Sequence, residues 1–571
     1  PPSFHIEFQP DDLFRGVHPN ILLDTSGPPG LDNQQEEILV YHLANHAGGI
    51  PNVTPDMCRV IPPYQTNSSA GLAVPRFEDE FIETAFPNGG AGELWQYELT
   101  YYPTSTNSAG YKLPSPQAFW STDITYLGAD KENYRYNFIL KNHRIDDDFR
   151  RFIPFTQMMF MTNGPLLDAQ SQQLMDVDEW LRVFALVSLV GEGDWYTFGN
   201  DHNVLIYNRP DDDRMLALLW DVEHLYYRSA SASLIGSASD WTDLETLYPA
   251  NKRRLFAHAL DLIATSFNTG YLSYWTTHFA SFAPGQDYSR MLSYIPARTA
   301  AVQAEINAAG GNAPFTLKTS NLITSTNNLI TITGTAPVQV QGLLVNGVPW
   351  PVTWLSFSNW SLSVPVSFAS NLLNLVACDV RGNILPGYST NLIVNYTGSL
   401  PNPVGNVVLN EIQYHPPLTN ASYVELRNTS TSMSYDLSNW RINGLDYTFP
   451  PGATISNGQY LLLVKDQSQF INAYDRYLPI FDYFPGQLDP GGETLTLLMP
   501  AADTNLPPVV VDQIKYSAWR PGRRPRRTIA ATQGPDPGPF PRGELGRGHR
   551  HPARQQFRQH HARRLSAALA E

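Results

Sequence analysis

The distribution of apolar positions divides the chain near Gly311. Before that point several stretches repeat apolar residues at helical spacing. Gln34–Gly48 (QQEEILVYHLANHAG) does so and stops at Gly48 and Gly49. Asp176–Gly191 (DVDEWLRVFALVSLVG) predicts a stronger helix, which Asp176 or Asp178 can cap, with Trp180, Val183, Phe184 and Val187 on one face. Asn251–Phe267 and Asp287–Gly311 predict two more, the second ending on Gly310 and Gly311. Between the second and third helices, NVLIY (Asn203–Tyr207) predicts a short strand, NRPDDDR (Asn208–Arg214) a solvated polar turn, and MLALLW (Met215–Trp220) a strand buried on both faces. Residues 1–311 therefore read as one α+β domain.

Beyond Gly311 helical spacing gives way to alternation, with tight-turn residues in VNGVP and VRGN. A small β-sandwich is expected from about Pro314 to Thr397, within the span 312–398. The Pro/Gly-rich stretch at 399–406 reads as a linker, and 407–519 as a second all-β module. A length of 571 residues suits such a multidomain chain, and 42% hydrophobic against 16% charged residues suits folded domains. Cys58 and Cys378 lie far apart, which argues against a disulfide framework or a cysteine-based zinc site. No apolar run reaches membrane-spanning length. The chain opens at Pro1 without a methionine or signal peptide and reads as a piece whose start lies upstream.

Charge changes the picture at the far end. The net charge is −15, yet from Arg520 onward there are twelve Arg, no Lys, and only Asp536, Glu544 and Glu571 as acids. That tail carries +9 and leaves −24 for the body, which would repel nucleic acid. Residues 520–571 are poor in apolar residues and read as a disordered basic tail or as out-of-frame translation of GC-rich DNA.

The candidate chemistry sits around the hairpin. Asp194 precedes it in the loop GEGDW, Asn203 opens its first strand, and Asp221 follows its second. Mg²⁺ takes one or two carboxylates with phosphate oxygens and water, an Asn carbonyl adds a neutral ligand, and a further carboxylate can accept a hydroxyl proton. An Asp, then an Asn, then a hairpin, then a metal-binding Asp is also the order in protein kinases, at shorter spacing. The competing reading is that Asp and Asn at strand ends only satisfy nearby backbone groups.

The segments GDW, HNVLIYN and WDVE, with FRGVHPNILLD, HLANHAGG, FEDEFIETAFPNGGAGELWQYE and YNFILKNHRIDDDFRRFI, resemble the spore-coat CotH kinase family over most of residues 1–311. The resemblance implies an atypical protein-kinase-like fold that phosphorylates proteins using ATP and Mg²⁺ or Mn²⁺. On the matching positions, Asp194 would be the catalytic acid, and Asp221 and Asn203 metal ligands. Glu223, where many relatives have Asp, would support the metal. His202 and His224 would be hydrogen-bonding neighbours. Gln96 stands where relatives often carry a Lys, and Lys141 is the candidate for phosphate binding. That departure also admits an inactive, cell-surface or matrix-attachment protein.

VVLNEIQYHPP, ASYVELRNTS, YDLSNWRING, YTFPPGATISNGQYLLLVKD and GGETLTLL resemble the lamin-tail domain, an immunoglobulin-like sandwich. Its apolar set should include Val424, Leu426, Leu437, Trp440 and Tyr460, with Glu411 and Glu425 in structural roles. VNGVPW, NWSLSVPV and NLLNLVACDVRGN resemble bacterial immunoglobulin-like repeats of secreted proteins. Together these resemblances imply an extracellular or cell-surface bacterial protein whose partner is a protein substrate or a matrix component.

Overall fold

The computed structural model describes residues 3–517, apart from 26–34, 62–68, 78, 102–105, 112–118, 121, 199–201, 238, 283–284, 475–477 and 502–504. The tail at 520–571 lies outside the described residues. Nine α-helices are described before Gly311: α1 (Glu37–Ala47), α2 (Asp79–Ala85), α3 (Phe152–Met159), α4 (Gly164–Leu174), α5 (Val177–Leu189), α6 (Ser239–Thr246), α7 (Pro249–Thr265), α8 (Thr269–Phe282) and α9 (Ser289–Ala308). The four helices expected from spacing are α1, α5, α7 and α9.

Two four-stranded sheets accompany these helices. The first joins β1 (Phe4–Glu7), β2 (Asn20–Asp24), β4 (Ser69–Pro75) and β3 (Asp56–Val60), in that order. A small pair, β6 (Thr100–Tyr101) and β7 (Phe119–Trp120), stands apart. The second sheet runs β10 (Arg214–Leu219), β9 (Val204–Arg209), β5 (Leu94–Tyr97) and β8 (Phe138–Leu140), all antiparallel.

β10 is an edge strand, and α5 covers its open side. The main-chain N–H of Asp176 and the indole Nε1–H of Trp180 both donate to the Met215 carbonyl, at 3.0 and 2.9 Å. Glu179 Oε2 accepts from the Ala217 N–H at 3.0 Å. The backbone groups that an edge would leave unpaired are thus taken up by the helix, so an all-apolar strand can sit there without inviting another chain. Asp176 is the N-cap and accepts from the Glu179 N–H at 3.3 Å. Trp180, Val183, Phe184 and Val187 of α5 are buried, and burial extends to its other sides as well, because sheet, α7 and α1 surround it.

The hairpin turn is also more than a solvated loop. Asp212 pairs with Arg209 at 2.7 Å, and Asp213 (φ 56°) pairs with Arg151 at 2.9 Å. Only Asp211 of the three is exposed.

The middle module is a sandwich. One sheet holds Thr316–Leu317, Leu329–Thr335, Asn359–Pro365 and Thr353–Trp354. The other holds Leu322–Ser325, Ile384–Tyr396, Ser370–Cys378, Gly342–Val345 and Val348–Trp350. Ile332, Trp360, Leu375 and Val394 meet between them. The last module pairs the sheet of Val407–Gln413, Tyr423–Asn428, Tyr460–Val464 and Asp482–Tyr483 with that of Tyr447–Thr448, Arg441–Asn443, Thr494–Met499 and Val509–Lys515. Val424, Leu426, Leu437 and Trp440 lie in its core. Tyr460 does not: it is half-buried beneath the Arg427 guanidinium, 5.1 Å from its ring centre.

The modules are docked onto one another. Buried Arg253 of α7 donates to the carbonyls of Ala336, Pro337, Val340 and Phe357 and stacks 3.5 Å from the Trp354 ring centre. Arg381 pairs with Asp261 at 2.7 Å and donates to the Ala47 carbonyl at the end of α1. The expected linker is held within its first half, by Tyr396 Oη donating to Ser399 O (2.6 Å) and Tyr435 Oη to Asn402 O (3.0 Å).

Candidate active site

Two left-handed residues frame the hairpin. Asn203 (φ 62°) enters β9, and Asp221 (φ 53°) follows β10. Asn and Asp tolerate this region because their short polar side chains bond locally. Val204 pairs with Leu219, so both residues emerge at the same end of the hairpin. The Asn203 N–H donates to Tyr97 O at 3.1 Å, which fastens that end to β5.

The loop between α5 and β9 is fixed from beneath. Glu192 is fully buried, and its Oε1 accepts from the N–H groups of Gly193 (2.9 Å) and Asp194 (3.0 Å). Burial pushes the Glu192 carboxyl up to about 8. Gly193 is required by packing, since a Cβ there would stand 2.5 Å from the Tyr227 ring. Trp195 and Tyr196 anchor the far side in the core. Asn203 Nδ2 then donates to Asp194 O at 2.8 Å, leaving its amide oxygen as the end that can meet a cation.

The Asp194 carboxylate lies between two imidazoles, with His202 Nε2 at 3.8 Å and His224 Nδ1 at 3.7 Å. Both separations exceed hydrogen-bond length, so the two imidazoles flank the Asp194 carboxylate at ion-pair range. His224 Nδ1 is also 4.0 Å from Glu223 Oε1.

Asp221 is exposed at its surface yet crowded by protein around its carboxylate. That crowding, followed by the charges of Glu223, Asp24, Glu98 and Asp194, pushes its carboxyl up to about 7. Glu37 of α1, buried, is pushed well above the usual carboxylate range by burial and then by Asp24, Asp221 and Glu223. The strongest charges acting on Asp221 are thus all carboxylates. The strands and α1 bring negative charge to one place, which is the electrostatic condition for holding a cation.

Asp24, Glu37, Glu98 and Glu192 were not singled out from sequence. Glu37 carried a usable signal, a charge in the apolar run EILVY, and Glu192 stands two residues before Asp194. Asp24 and Glu98 join the group only through tertiary contact. Lys141 donates to Gln96 Oε1 at 2.6 Å, and Gln96 Nε2 donates to Glu98. The lysine therefore approaches the acidic group through an amide relay on β5.

Among the described residues, no three His, Cys, Asp or Glu side chains are grouped so as to hold a metal ion by themselves. The set Asn203, Asp221 and Glu223 offers one amide and two carboxylates, all oxygen donors. It fits a hard divalent ion that completes its shell with phosphate and water, and does not fit a closed protein cage.

The Lamin Tail Domain family model matches residues 401–518. Its two acids bond as structural residues: Tyr423 Oη donates to Glu411 (2.7 Å), and Asn410 Nδ2 to Glu425 (2.6 Å). No curated protein matches the chain. Among solved structures, the chain is similar to the Bacteroides ovatus mixed-linkage glucan utilization locus protein SGBP-B in complex with a mixed-linkage heptasaccharide. That match is 12% identical, covers 35% of this chain and 43% of the other, and has a TM-score of 0.10, too low to bear on fold. No described helix is long and apolar enough to cross a membrane.

Proposed function

We propose that residues 1–311 form a CotH-like protein kinase that uses Mg–ATP to phosphorylate a protein hydroxyl, borne by an extracellular or cell-surface bacterial chain. The observation that carries this reading is the joint placement of Asn203 and Asp221 at one end of a buried hairpin, with Asp194 bonded to Asn203. Asp221, Asn203 and Glu223 would hold Mg²⁺ or Mn²⁺, which when bound neutralises phosphate charge. Asp194 would accept the proton of the attacking hydroxyl, oriented by its fixed loop. Lys141, steered by Gln96, would meet phosphate oxygen.

Calorimetric titration of Mg–ATP into the protein and its Asp221→Asn variant tests the proposal. Binding by the first and not the second is expected; equal binding by both would overturn it.

A second reading is a catalytically inactive attachment protein. It is favoured by Gln96, which stands where members of the resembled kinase family often carry a lysine. In that case neither protein binds Mg–ATP, and both are retained equally on cell-wall material.

A further inference from the structure

Two arginines meet at the end of α5, and among the described residues neither is paired with a carboxylate. Arg298 of α9 is 1% exposed. Its Nη2 donates to Ser188 O (3.0 Å) and Ser188 Oγ (3.1 Å), and its Nη1 to the carbonyls of Ala230 (3.2 Å) and Ala232. Its Nε is buried and meets no acceptor among the described residues. Arg228 stands on the loop that follows Asp221. Its guanidinium lies 3.6 Å from the Phe198 ring centre, and its Nη1 is also buried without an acceptor. Tyr294, one turn before Arg298 on α9, adds a third such group, a buried Oη with no partner.

Gly191 brings the three together. Its carbonyl accepts from the Arg228 N–H at 3.1 Å, and its own N–H shares the Ser188 carbonyl with Arg298. A Cβ on Gly191 would collide with Tyr294 Oη. Burial pulls both guanidinium groups below their usual range, and Arg298 pulls Arg228 further.

The surroundings offset only part of this charge. The C-terminal dipole of α5 is worth about half a unit. Glu245 and Glu305 act on these arginines from a distance and are bonded elsewhere. Glu245 accepts from the Gly236 N–H (2.9 Å), and burial holds it up to about 8, so it is largely neutral near pH 7. Glu305 accepts from Ser233 Oγ (2.7 Å) and the Leu234 N–H (2.9 Å). Two cations and three buried donors are therefore left with no acceptor, an arrangement that costs stability until one arrives. A guest that satisfies them must accept on several sides and carry negative charge. A tetrahedral oxyanion does both, and its bonds to guanidinium are charge-assisted.

We infer that Arg228, Arg298 and Tyr294 form a binding site for a phosphate-type oxyanion, beneath the loop that joins Asp221 to α6. The anion would tie that loop, which also carries Glu223, to α9. Two sources share this chemistry. One is a free ion. The other is a phosphoserine of the same loop, where Ser229 and Ser231 are exposed with their hydroxyl oxygens 2.8 Å apart. The inference stands apart from the proposed kinase chemistry, because none of the three residues belongs to that site.

Thermal unfolding of the full chain in chelator, after phosphatase treatment, tests it in sodium phosphate, sodium sulfate and sodium chloride at equal ionic strength. Each oxyanion should raise the melting temperature by about 3 °C at saturation, and chloride should not. Arg228→Gln should lose the rise. Tyr294→Phe removes a hydroxyl that has no partner, so it should be at least as stable in chloride and still lose most of the rise. No rise with either oxyanion, an equal rise in chloride, or an equal rise in Tyr294→Phe would overturn the inference. Intact mass before and after phosphatase separates the sources. Loss of a phosphoryl group mapped to Ser229, Ser231 or Ser233, with a fall in melting temperature that Tyr294→Phe does not show, assigns the anion to the loop. No such loss, with a rise on added phosphate, assigns a free ion.

Discussion

Asn203 donates its side-chain amide to the main-chain carbonyl of Asp194 at 2.8 Å, joining the loop after α5 to the mouth of the β9–β10 hairpin. One hydrogen bond thereby sets the separation between the candidate proton acceptor and the candidate metal-binding end. Asn203 is left-handed at φ 62°, so backbone conformation and side-chain bond make separable demands on this position.

Asn203→Ala loses the bond and must hold a left-handed backbone without a compensating side chain. Its cost should be about 2 kcal/mol. Asn203→Gly keeps the backbone freedom and should cost about 1 kcal/mol. Urea denaturation of both variants checks the order; equal losses would mean that backbone strain is not part of the site.

The raised carboxylates predict an inverse dependence of stability on pH. Burial holds Glu192 up to about 8, and crowding with neighbouring carboxylates holds Asp221 up to about 7. In the unfolded chain such groups titrate near 4, so between about pH 5 and pH 8 the folded state binds more protons. Stability from these groups is complete below the unfolded value and is lost as pH rises through the folded ones. Solvent at the exposed Asp221 softens its share. Melting temperature in chelator should fall across that window, and added Mg²⁺ should restore more of it at the upper end than at the lower. A flat profile would contradict the site's electrostatics.

Arg253 is a second sensitive point. Its guanidinium is buried, gives its hydrogen bonds to four carbonyls of the middle sandwich, and is pushed down to about 9 by burial alone. Arg253→Ala would remove the side-chain donor from all four carbonyls, of which Pro337 O keeps the Val340 N–H, at a cost of about 3 kcal/mol. Arg253→Lys should recover little, because an ammonium cannot reproduce the planar fork. The checks are calorimetric unfolding, expected to split into separate transitions, and limited proteolysis between α9 and Thr316.

The last joint rests on Asn328, which is buried and donates to Ser434 O at 2.7 Å while accepting from Ser434 N at 3.0 Å. Asn328→Ala should cost about 1–2 kcal/mol and free the lamin-tail domain. Small-angle scattering reports this as a larger radius of gyration; an unchanged radius would show that other contacts suffice.

The sequence by itself determined the division near Gly311, four of the helices, the β9–β10 hairpin and the lamin-tail domain. Each is written in local periodicity or in turn residues at fixed spacing. Asp194, Asn203 and Asp221 were legible because the hairpin that groups them is continuous in sequence. Helices such as α3 and α8 were missed because apolar or aromatic residues cover most of their turns and blur the spacing. Asp24, Glu37 and Glu98 come from separate elements, β2, α1 and the end of β5, and share one electric field only after the sheets pack. The expected tether at 399–406 likewise became a docked segment through Tyr396 and Tyr435. Tertiary structure decided these features because charge repulsion and desolvation depend on distance through space, which local sequence does not carry.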